Sequence, residues 1–330
     1  MSVDWSPLVE LVGKSKRVLL VTHMRPDGDG IGSQKAFALA LRALGKEAVI
    51  VIPSPMPERY RFLDPEAEII QFTPPGEALR VCDAIVVMDT GTWNQLGRFG
   101  DFMKSQNVRK LVIDHHLTQD DLGAIRIVDT TAEATGRLTY EAIQALGGIL
   151  TPAAATALFT ALAMDTGWFR HSNTSAATFE LASKLVEAGA QPAQLYPELF
   201  EKNTLGRQKL MGKVLERLTV TAQGYLAHSS IFLADYATTG ALPPDSEDLV
   251  NLTLGIAGVN VGLLFMEQPA GGIKISFRSK GKLDVRKLAE QFGGGGHAAA
   301  AGAIVQDSLE PVRDKVLAAV IRALDPEAKR

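Results

Sequence analysis

Residues 16–45 have the sequence KRVLLVTHMRPDGDGIGSQKAFALALRALG, in which an apolar run leads through a polar loop into an amphipathic segment. The run at 16–23 is short and continuous, as in a parallel strand that is covered on both faces. The segment 30–45 has helical spacing and ends at Gly45, a residue type that often terminates helices. This stretch predicts a strand, a loop and a helix, the unit from which α/β sheets are built.

The same alternation continues through the first half of the chain. Further strand patterns lie at 47–53, 82–91, 108–116 and 123–129, and helical patterns follow at 134–148 and 151–167. We therefore predict an α/β fold with a doubly wound, mostly parallel sheet in an N-terminal domain, residues 1–190. Consecutive helical patterns between 176 and 220 predict a helical connector, which we place at 191–221.

A different unit begins after the connector. Strand patterns at 259–267 and 272–279 flank a short turn sequence, and a glycine-rich stretch at 293–305 leads into another strand pattern. Helical patterns occupy 246–258, 284–292 and 309–324. These features predict a smaller α+β C-terminal domain over residues 222–330.

Composition limits the classes of function. The net charge of −3 provides no global basic field of the kind that grips long duplex nucleic acid. Cys82 is the only cysteine, which excludes an internal disulfide and fits a reducing compartment; its strand pattern predicts inert core packing. No apolar run approaches the ~20 residues that span a bilayer, and no signal-peptide pattern is visible. We expect a soluble, cytoplasmic protein without a membrane segment.

Side chains of metal-ligand type occur where predicted strands or a helix end. They are His23, Asp27, Asp29, Asp89, Asp114, His115, His116 and Asp165. The carboxyl ends of parallel strands meet at one edge of a sheet, so these side chains should converge. Carboxylates and imidazoles without thiolates suit manganese or magnesium better than structural zinc. So many carboxylates indicate two ions about 3.5–4 Å apart, with Asp89 predicted to bridge them.

Each of these patterns also has a structural interpretation when taken alone. The sequence DGDG is commonly a polar turn, and Asp89 or the Asp114 segment could simply cap a helix. Their joint occurrence at strand ends favours the metal cluster.

The chain resembles the DHH phosphoesterase superfamily, which is named for the motif seen here as Asp114-His115-His116. The other matching segments are THMRPDGDGIGS at 22–33, VVMDTG at 86–91, ALFTALAMDTGWFRHSNT at 157–174 and ISFRSKGKLDVRKLAEQFGGGGHAAAAGA at 275–303. Length and domain content are most similar to the NrnA-type branch, which carries a small C-terminal domain.

The resemblance implies roles for the clustered residues. It assigns His23, Asp27 and Asp89 to one ion. It assigns Asp29, Asp89, His115 and Asp165 to the other. Asp114 is expected to orient His115, and His116 to face the substrate phosphate. The implied reaction is in-line attack on phosphorus by a hydroxide that two divalent ions generate, with Mn²⁺ the best fit and Mg²⁺ or Co²⁺ as alternatives.

The resemblance also implies the substrates. They are short single-stranded oligoribonucleotides, degraded from the 3′ end to mononucleotides, and 3′-phosphoadenosine 5′-phosphate (pAp), converted to AMP. A cyclic di-AMP or pApA phosphodiesterase with the same metal chemistry is the alternative, and a nucleotide-binding regulatory module is a third hypothesis. A nicotinamide-dependent oxidoreductase is disfavoured because the first loop lacks the glycine fingerprint. The sequence does not decide whether RNA or DNA is preferred, or whether the protein forms a homodimer.

The C-terminal domain is expected to hold the rest of the substrate. The candidate residues are Arg278, Ser279, Gly294, Gly295, Gly296 and His297. The glycines would form a loop whose backbone N–H groups approach a phosphate, and arginine can give a two-pronged contact. Arg170 could neutralise a phosphate beside the metals, or form a surface ion pair. Lys280 and Lys282 are expected to be solvated.

Overall fold

The computed structural model describes residues 3–281 and 283–324, so Lys282 lies outside the described residues. The chain divides into two compact units, Met1–Lys202 and Asn203–Arg330. The domain limits at residues 190 and 221 stay predictions. Part of the segment predicted as a connector lies in the first unit and part in the second.

The first unit contains six strands and seven α-helices among its described residues. The strands are β1 (Arg17–Val21), β2 (Glu47–Ile52), β3 (Ile70–Gln71), β4 (Ala84–Met88), β5 (Arg109–Asp114) and β6 (Ile125–Val128). The helices are α1 (Ser6–Lys14), α2 (Gly28–Ala43), α3 (Trp93–Ser105), α4 (Thr135–Ala145), α5 (Pro152–Asp165), α6 (Ala176–Glu187) and α7 (Pro192–Tyr196).

The strands form one parallel sheet in the order β3-β2-β1-β4-β5-β6. Alternate residues of the central strands point to opposite faces, as the pleat requires. Leu20 and Val86 pack with α2 and α5 on one face, whereas Leu19 and Val87 pack with α3 on the other. Helices cover both faces, which confirms the predicted doubly wound sheet. The sheet order places the ends of β1, β4 and β5 side by side.

The first unit differs in places from the sequence predictions. Helix α1, strand β3 and helix α3 were not predicted; within α3, Gly97 interrupts the helical spacing and has a φ of 51°. Cys82 was predicted to be buried on a strand, but it precedes β4 and is only partly buried. The apolar pattern of the strand begins two residues after this cysteine.

The second unit is built around a mixed sheet. Its strands are β7 (Thr219–Thr221), β8 (Leu226–Ile231), β9 (Val261–Glu267), β10 (Ile273–Ser279), β11 (Gly295–Gly296) and β12 (Ala300–Val305), in the order β11-β12-β10-β9-β8-β7. Its helices are α8 (Leu205–Glu216), α9 (Leu233–Thr239), α10 (Asn251–Leu254), α11 (Val285–Glu290) and α12 (Leu309–Leu324). Among the described strands of this unit, β8 and β9 pair in parallel and the other neighbours pair antiparallel.

Both faces of this sheet are covered. Helices α11 and α12 pack on Leu263, Phe265 and Ile275, and α8 packs on Leu264 and Met266. The predicted hairpin of β9 and β10 is present. The predicted helix at 246–258 is reduced to α10, because Asp248 has a φ of 61° and breaks the helical backbone before it. Among the described helices, none is both long and apolar enough to span a lipid bilayer.

Candidate metal centre

The loop after β1 supplies the first two candidate ligands. His23 follows the strand, and its Nδ1 lies 2.9 Å from the carbonyl oxygen of Met24. Asp27 caps α2, because its Oδ1 accepts hydrogen bonds from the backbone N–H of Asp29 and of Gly30 at 3.0 and 3.1 Å. The same Oδ1 lies 3.7 Å from His23 Nε2. Asp27 therefore acts as a helix cap and still faces the histidine.

Asp29 lies in the first turn of α2 and is buried against the start of α4. Its two carboxylate oxygens accept hydrogen bonds from the backbone N–H groups of Thr135 and Gly136, at 2.7 and 2.8 Å. The positive end of the α4 dipole favours a negative charge at this position. The hydroxyl of Ser33 donates a further bond of 3.2 Å. These contacts fix the carboxylate before any ligand arrives.

Asp89 occupies the centre of the cluster, directly after β4. Its backbone has a φ of 64°, a conformation that aspartate tolerates better than most residues and that is common at functional sites. One carboxylate oxygen lies 3.4 Å from His23 Nε2, and the other lies 3.6 Å from His115 Nε2. Asp89 therefore faces both halves of the cluster, as a bridging ligand must.

The ring of His115 is oriented by a backbone carbonyl. Its Nδ1 lies 3.1 Å from the oxygen of Ala132. Its Nε2 is buried, has no hydrogen-bond partner among the described residues, and lies 3.8 Å from Asp29 and 3.9 Å from Asp165. Metal-binding histidines commonly donate a hydrogen bond from their other ring N–H to a carbonyl or carboxylate in this way. A divalent cation would satisfy the unpartnered nitrogen, so the residues present fit a metal ion.

Asp114 contacts the neighbouring histidine instead. Its Oδ1 lies 2.8 Å from Nδ1 of the His116 ring, and it accepts the backbone N–H groups of His115 and His116 at 2.8 and 3.1 Å. That Asp114 orients His115 stays a prediction. The carboxylate can hold only the backbone of His115, because the ring of that residue turns towards Ala132.

The structure brings seven side chains together in overlapping groups. Three sets have ligand atoms within 4.8 Å of one another: His23, Asp27 and Asp89; Asp29, His115 and Asp165; and Asp89, His115 and His116. The first set contains the three residues that the resemblance assigns to one ion, and the second contains three of the four that it assigns to the other, without Asp89. Asp165 completes the second set from the last residue of α5, where a helix end rather than a strand end delivers the carboxylate.

Crowded carboxylates shift the ionisation of the cluster. Burial, together with the charges of Asp89, Asp165 and Asp27, raises the pKa of Asp29 well above its usual value. Burial and the nearby Asp89 raise the pKa of Asp165 to about 6. Burial disfavours the charged ring of His23, but Asp27 and Asp89 outweigh this effect and raise its pKa to about 11. The cluster concentrates negative charge that a cation would neutralise.

Two residues were missed in the sequence analysis. Gln119 donates from Nε2 to Asp114 Oδ2 at 2.6 Å, and Thr135 donates from its hydroxyl to Asp89 at 3.0 Å. Neither has a residue type or spacing that signals a metal site. Only the fold brings them to the cluster.

Arg170 and His171 lie just beyond Asp165. The guanidinium of Arg170 donates from Nε to the carbonyl oxygen of Gly167 at 2.9 Å, and both side chains are exposed. The ring of His171 has its Nδ1 3.2 Å from the carbonyl oxygen of Asp165. Arg170 forms no ion pair among the described residues, so no partner is present there for the alternative role in a surface ion pair. Its role towards a phosphate stays a prediction.

In the second unit, the predicted substrate residues gather at the end of β10. In the register of β10 and β12, Arg278 lies opposite Ala300. The tight turn before Ala300 begins at His297. The guanidinium of Arg278 lies 3.2 Å from Asp248 Oδ1. The hydroxyl of Ser279 accepts hydrogen bonds from the backbone N–H groups of Gly281 and Leu283. Ser279 therefore stabilises a turn, whereas Arg278 and the exposed ring of His297 remain near the surface.

Half of the glycine tract forms a short strand, whereas Gly293 and Gly294 lie outside any strand, as expected for a loop. Gly295 and Gly296 make up β11, which pairs with β12. A Cβ atom on Gly294 would lie 2.1 Å from the carbonyl oxygen of Gly302, and one on Gly296 would lie 2.6 Å from that of Ala300. These two glycines are needed for close approach to β12. Phosphate binding by the tract stays a prediction.

The chain is similar to known proteins over most of its length. Residues 17–164 match the model of the DHH family N-terminal domain, and residues 231–325 match the DHHA1 domain. A bifunctional oligoribonuclease and PAP phosphatase NrnA from Thermus thermophilus is 32% identical over 92% of this chain and 89% of its own length. The chain belongs to the DHH family and is of the NrnA type.

Two further similarities agree with this assignment. A second NrnA with the same description, from Bacillus subtilis, is 28% identical over 94% of this chain and 96% of its own. A crystal structure of an exopolyphosphatase-related protein from Bacteroides fragilis has a TM-score of 0.92 at 25% identity, covering 99% of this chain and 97% of that one. The fold is thus shared over almost the whole chain.

Proposed function

We propose that this chain hydrolyses short oligoribonucleotides to mononucleotides and removes the 3′-phosphate of pAp. The observation that carries the proposal is the cluster around His115 Nε2, a buried nitrogen with no partner among the described residues that faces three aspartates. Similarity to two proteins described as oligoribonuclease and PAP phosphatase supplies the substrate class.

Two divalent cations, with Mn²⁺ the best fit, would be held by His23, Asp27 and Asp89 on one side and by Asp29, Asp89, His115 and Asp165 on the other. When bound, such cations lower the pKa of a water molecule and offset charge on phosphoryl oxygens. The oxygen-rich ligand set with imidazoles and no thiolate favours manganese or magnesium over structural zinc.

The remaining residues of the centre would position the substrate. Asp114 occupies Nδ1 of the His116 ring, which leaves Nε2 to contact a phosphoryl oxygen. The ring is half exposed, with a side-chain accessibility of 53%, so a substrate can reach it. Arg170 would add positive charge beside Asp165. Arg278 and His297 of the second unit would bind a phosphate or base of the nucleotide.

The test is a substrate panel with the Mn²⁺-loaded protein, analysed by product chain length. The panel contains an RNA dinucleotide and pentanucleotide, the matching DNA oligonucleotides, pAp, linear pApA and cyclic di-AMP. We expect mononucleotides from the RNA and AMP from pAp, and no product after chelation. Faster turnover of cyclic di-AMP or pApA than of the RNA and pAp would replace the proposal with a cyclic-dinucleotide phosphodiesterase. Nucleotide binding without any product would indicate a regulatory module.

A further inference from the structure

Gln119 contacts the DHH motif from outside the set of candidate ligands. Its Nε2 donates to Asp114 Oδ2 at 2.6 Å and to the carbonyl oxygen of His116 at 3.0 Å. The other oxygen of Asp114 lies 2.8 Å from Nδ1 of the His116 ring. The amide of Gln119 therefore holds His116 twice, once through its backbone and once through the carboxylate that orients its ring.

The hydrogen bonds of Asp114 make Gln119 important for the orientation of this carboxylate. Oδ1 accepts bonds from the backbone N–H groups of His115 and His116 and contacts the ring of His116. Among the described residues, only Gln119 donates to Oδ2. Without Gln119 the carboxylate would keep its backbone contacts but lose the bond that fixes its rotation. The ring of His116 would then follow the carboxylate.

The amide of Gln119 adopts an orientation that leaves its oxygen unsatisfied. Oε1 is buried and has no hydrogen-bond partner in the described part of the chain. Turning the amide over would place this oxygen against the carboxylate of Asp114, so two acceptors would face each other. Buried acceptors without partners are rare in folded proteins and usually have a functional explanation. Here the explanation is that Nε2 must point to Asp114.

Gly91 provides the space for this amide. A Cβ atom on Gly91 would lie 1.7 Å from Gln119 Oε1 and 2.3 Å from its Cδ. The backbone of Gly91 forms an isolated bridge with Gln119, and its φ lies outside the left-handed region. An alanine could therefore adopt this backbone conformation, but its methyl group would displace the glutamine. The residue type at 91 is thus set by its partner at 119.

We propose that Gln119 is a positioning residue for phosphoester hydrolysis, which fixes Asp114 and thereby the ring of His116, and that Gly91 is required only because it makes room for Gln119. Gln119 would support the hydrolysis proposed above, so the inference rests on that proposed function. The chemistry is that of any phosphodiester, so a small model ester can test it whatever the natural substrate is.

The test is a double-mutant cycle of Gly91→Ala and Gln119→Ala, measured with Mn²⁺-loaded protein on bis(p-nitrophenyl) phosphate. We expect each single variant to lower kcat about 10- to 100-fold, the range for residues that support a catalytic group, with unchanged KM and Mn²⁺ affinity. The double variant should match Gln119→Ala alone, because no amide remains for the methyl group to displace. Additive losses, a loss of Mn²⁺ affinity, or wild-type kcat in Gln119→Ala would overturn the proposal.

Matched controls and a second measurement complete the experiment. Gly13→Ala, where a Cβ would meet no atom within 4 Å, and Gln144→Ala, an exposed glutamine, should leave kcat unchanged. The Nδ1–H of His116 should give a slowly exchanging imidazole signal in ¹H–¹⁵N spectra that Gly91→Ala and Gln119→Ala both remove. Persistence of that signal in both variants would refute the positioning role even if the protein cleaves none of the esters. Failure on RNA and pAp with activity on the model ester would instead refute only the proposed substrates.

Discussion

The two units present their candidate functional residues in opposite ways. In the first unit the side chains of Asp29 and Asp89 are only 2% and 3% exposed, and each is fixed by hydrogen bonds from other elements. In the second unit His297 is exposed and Arg278 already pairs with Asp248. Preorganised charge can act on any substrate that reaches it, whereas exposed groups acquire a role only when a ligand contacts them. The first unit should therefore determine the reaction, and the second should determine which molecules are preferred.

Asp89→Asn should have the largest effect, because this carboxylate faces both halves of the cluster. We expect hydrolysis of RNA, pAp and a model ester to fall alike by at least about 10³-fold, equivalent to ~4 kcal/mol of transition-state stabilisation. Steady-state kinetics on all three substrates would measure this loss, with circular dichroism to show that the fold is intact. Asp101→Asn, a change on the exposed face of α3, is the control. A loss confined to one substrate would place Asp89 in substrate selection instead of the common chemistry.

The affinity for Mn²⁺ should fall as the pH falls. In the metal-free protein the pKa of His23 is about 11, so its ring is protonated at neutral pH and a cation must displace that proton. One displaced proton gives a tenfold change in affinity per pH unit, or about 100-fold between pH 8 and pH 6. Asp165, with a pKa of about 6, would add a second displaced proton as the pH drops further.

Titration calorimetry in two buffers of different ionisation enthalpy would count these protons. His23→Asn should weaken binding and also reduce the proton release at pH 7, because the titrating ring is gone. An affinity that does not depend on pH would show that the cation displaces no proton from the ring of His23 and that His23 is not a ligand.

The first unit was predictable because parallel strands bring their carboxyl ends together. The positions of His23, Asp89 and His115 after β1, β4 and β5 followed from the apolar patterns of those strands, and their convergence followed from the sheet. The contacts around them did not follow. Whether Asp114 holds the ring of one histidine or the next depends on rotamers, and the carbonyl of Ala132 carries no sequence signal. Gln119 reaches the centre through tertiary packing that no local pattern encodes.

Arg278→Ala should have a smaller and selective effect. Removing a charged hydrogen-bond donor to a phosphate costs roughly 1.5–3 kcal/mol, so we expect the KM for a pentanucleotide RNA to rise about 10- to 100-fold. Turnover of bis(p-nitrophenyl) phosphate should be unchanged. Arg286→Ala, which removes a surface arginine of α11 paired with Asp284, is the matched control. Equal losses of activity on the RNA and on the model ester would contradict the assignment of substrate preference to the second unit.

The second unit was less predictable because glycine has no side chain to indicate its surroundings. A tract of glycines before a strand fits a loop, a linker or a short strand equally well in sequence. In the structure, the position of β12 determines the conformation of the tract. Its backbone passes so close to Gly294 and Gly296 that side chains there would clash. The pattern therefore marks a site of close packing, and packing with a distant segment cannot be read from local spacing.

The smallest expected effects separate architecture from phosphate binding within this tract. Gly294→Ala should destabilise the second unit by about 1–3 kcal/mol, the usual cost of overpacking, because its Cβ would lie 2.1 Å from the carbonyl oxygen of Gly302. Gly295→Ala, whose Cβ would meet no atom within 4 Å, should change the free energy of unfolding by less than about 0.5 kcal/mol. Denaturant titration would measure both. If Gly295→Ala nevertheless raises the KM for RNA while KM for the model ester stays constant, the open side of β11 contacts the nucleotide. If neither KM changes, the tract shapes the sheet edge and the phosphate contacts lie with Arg278 and His297.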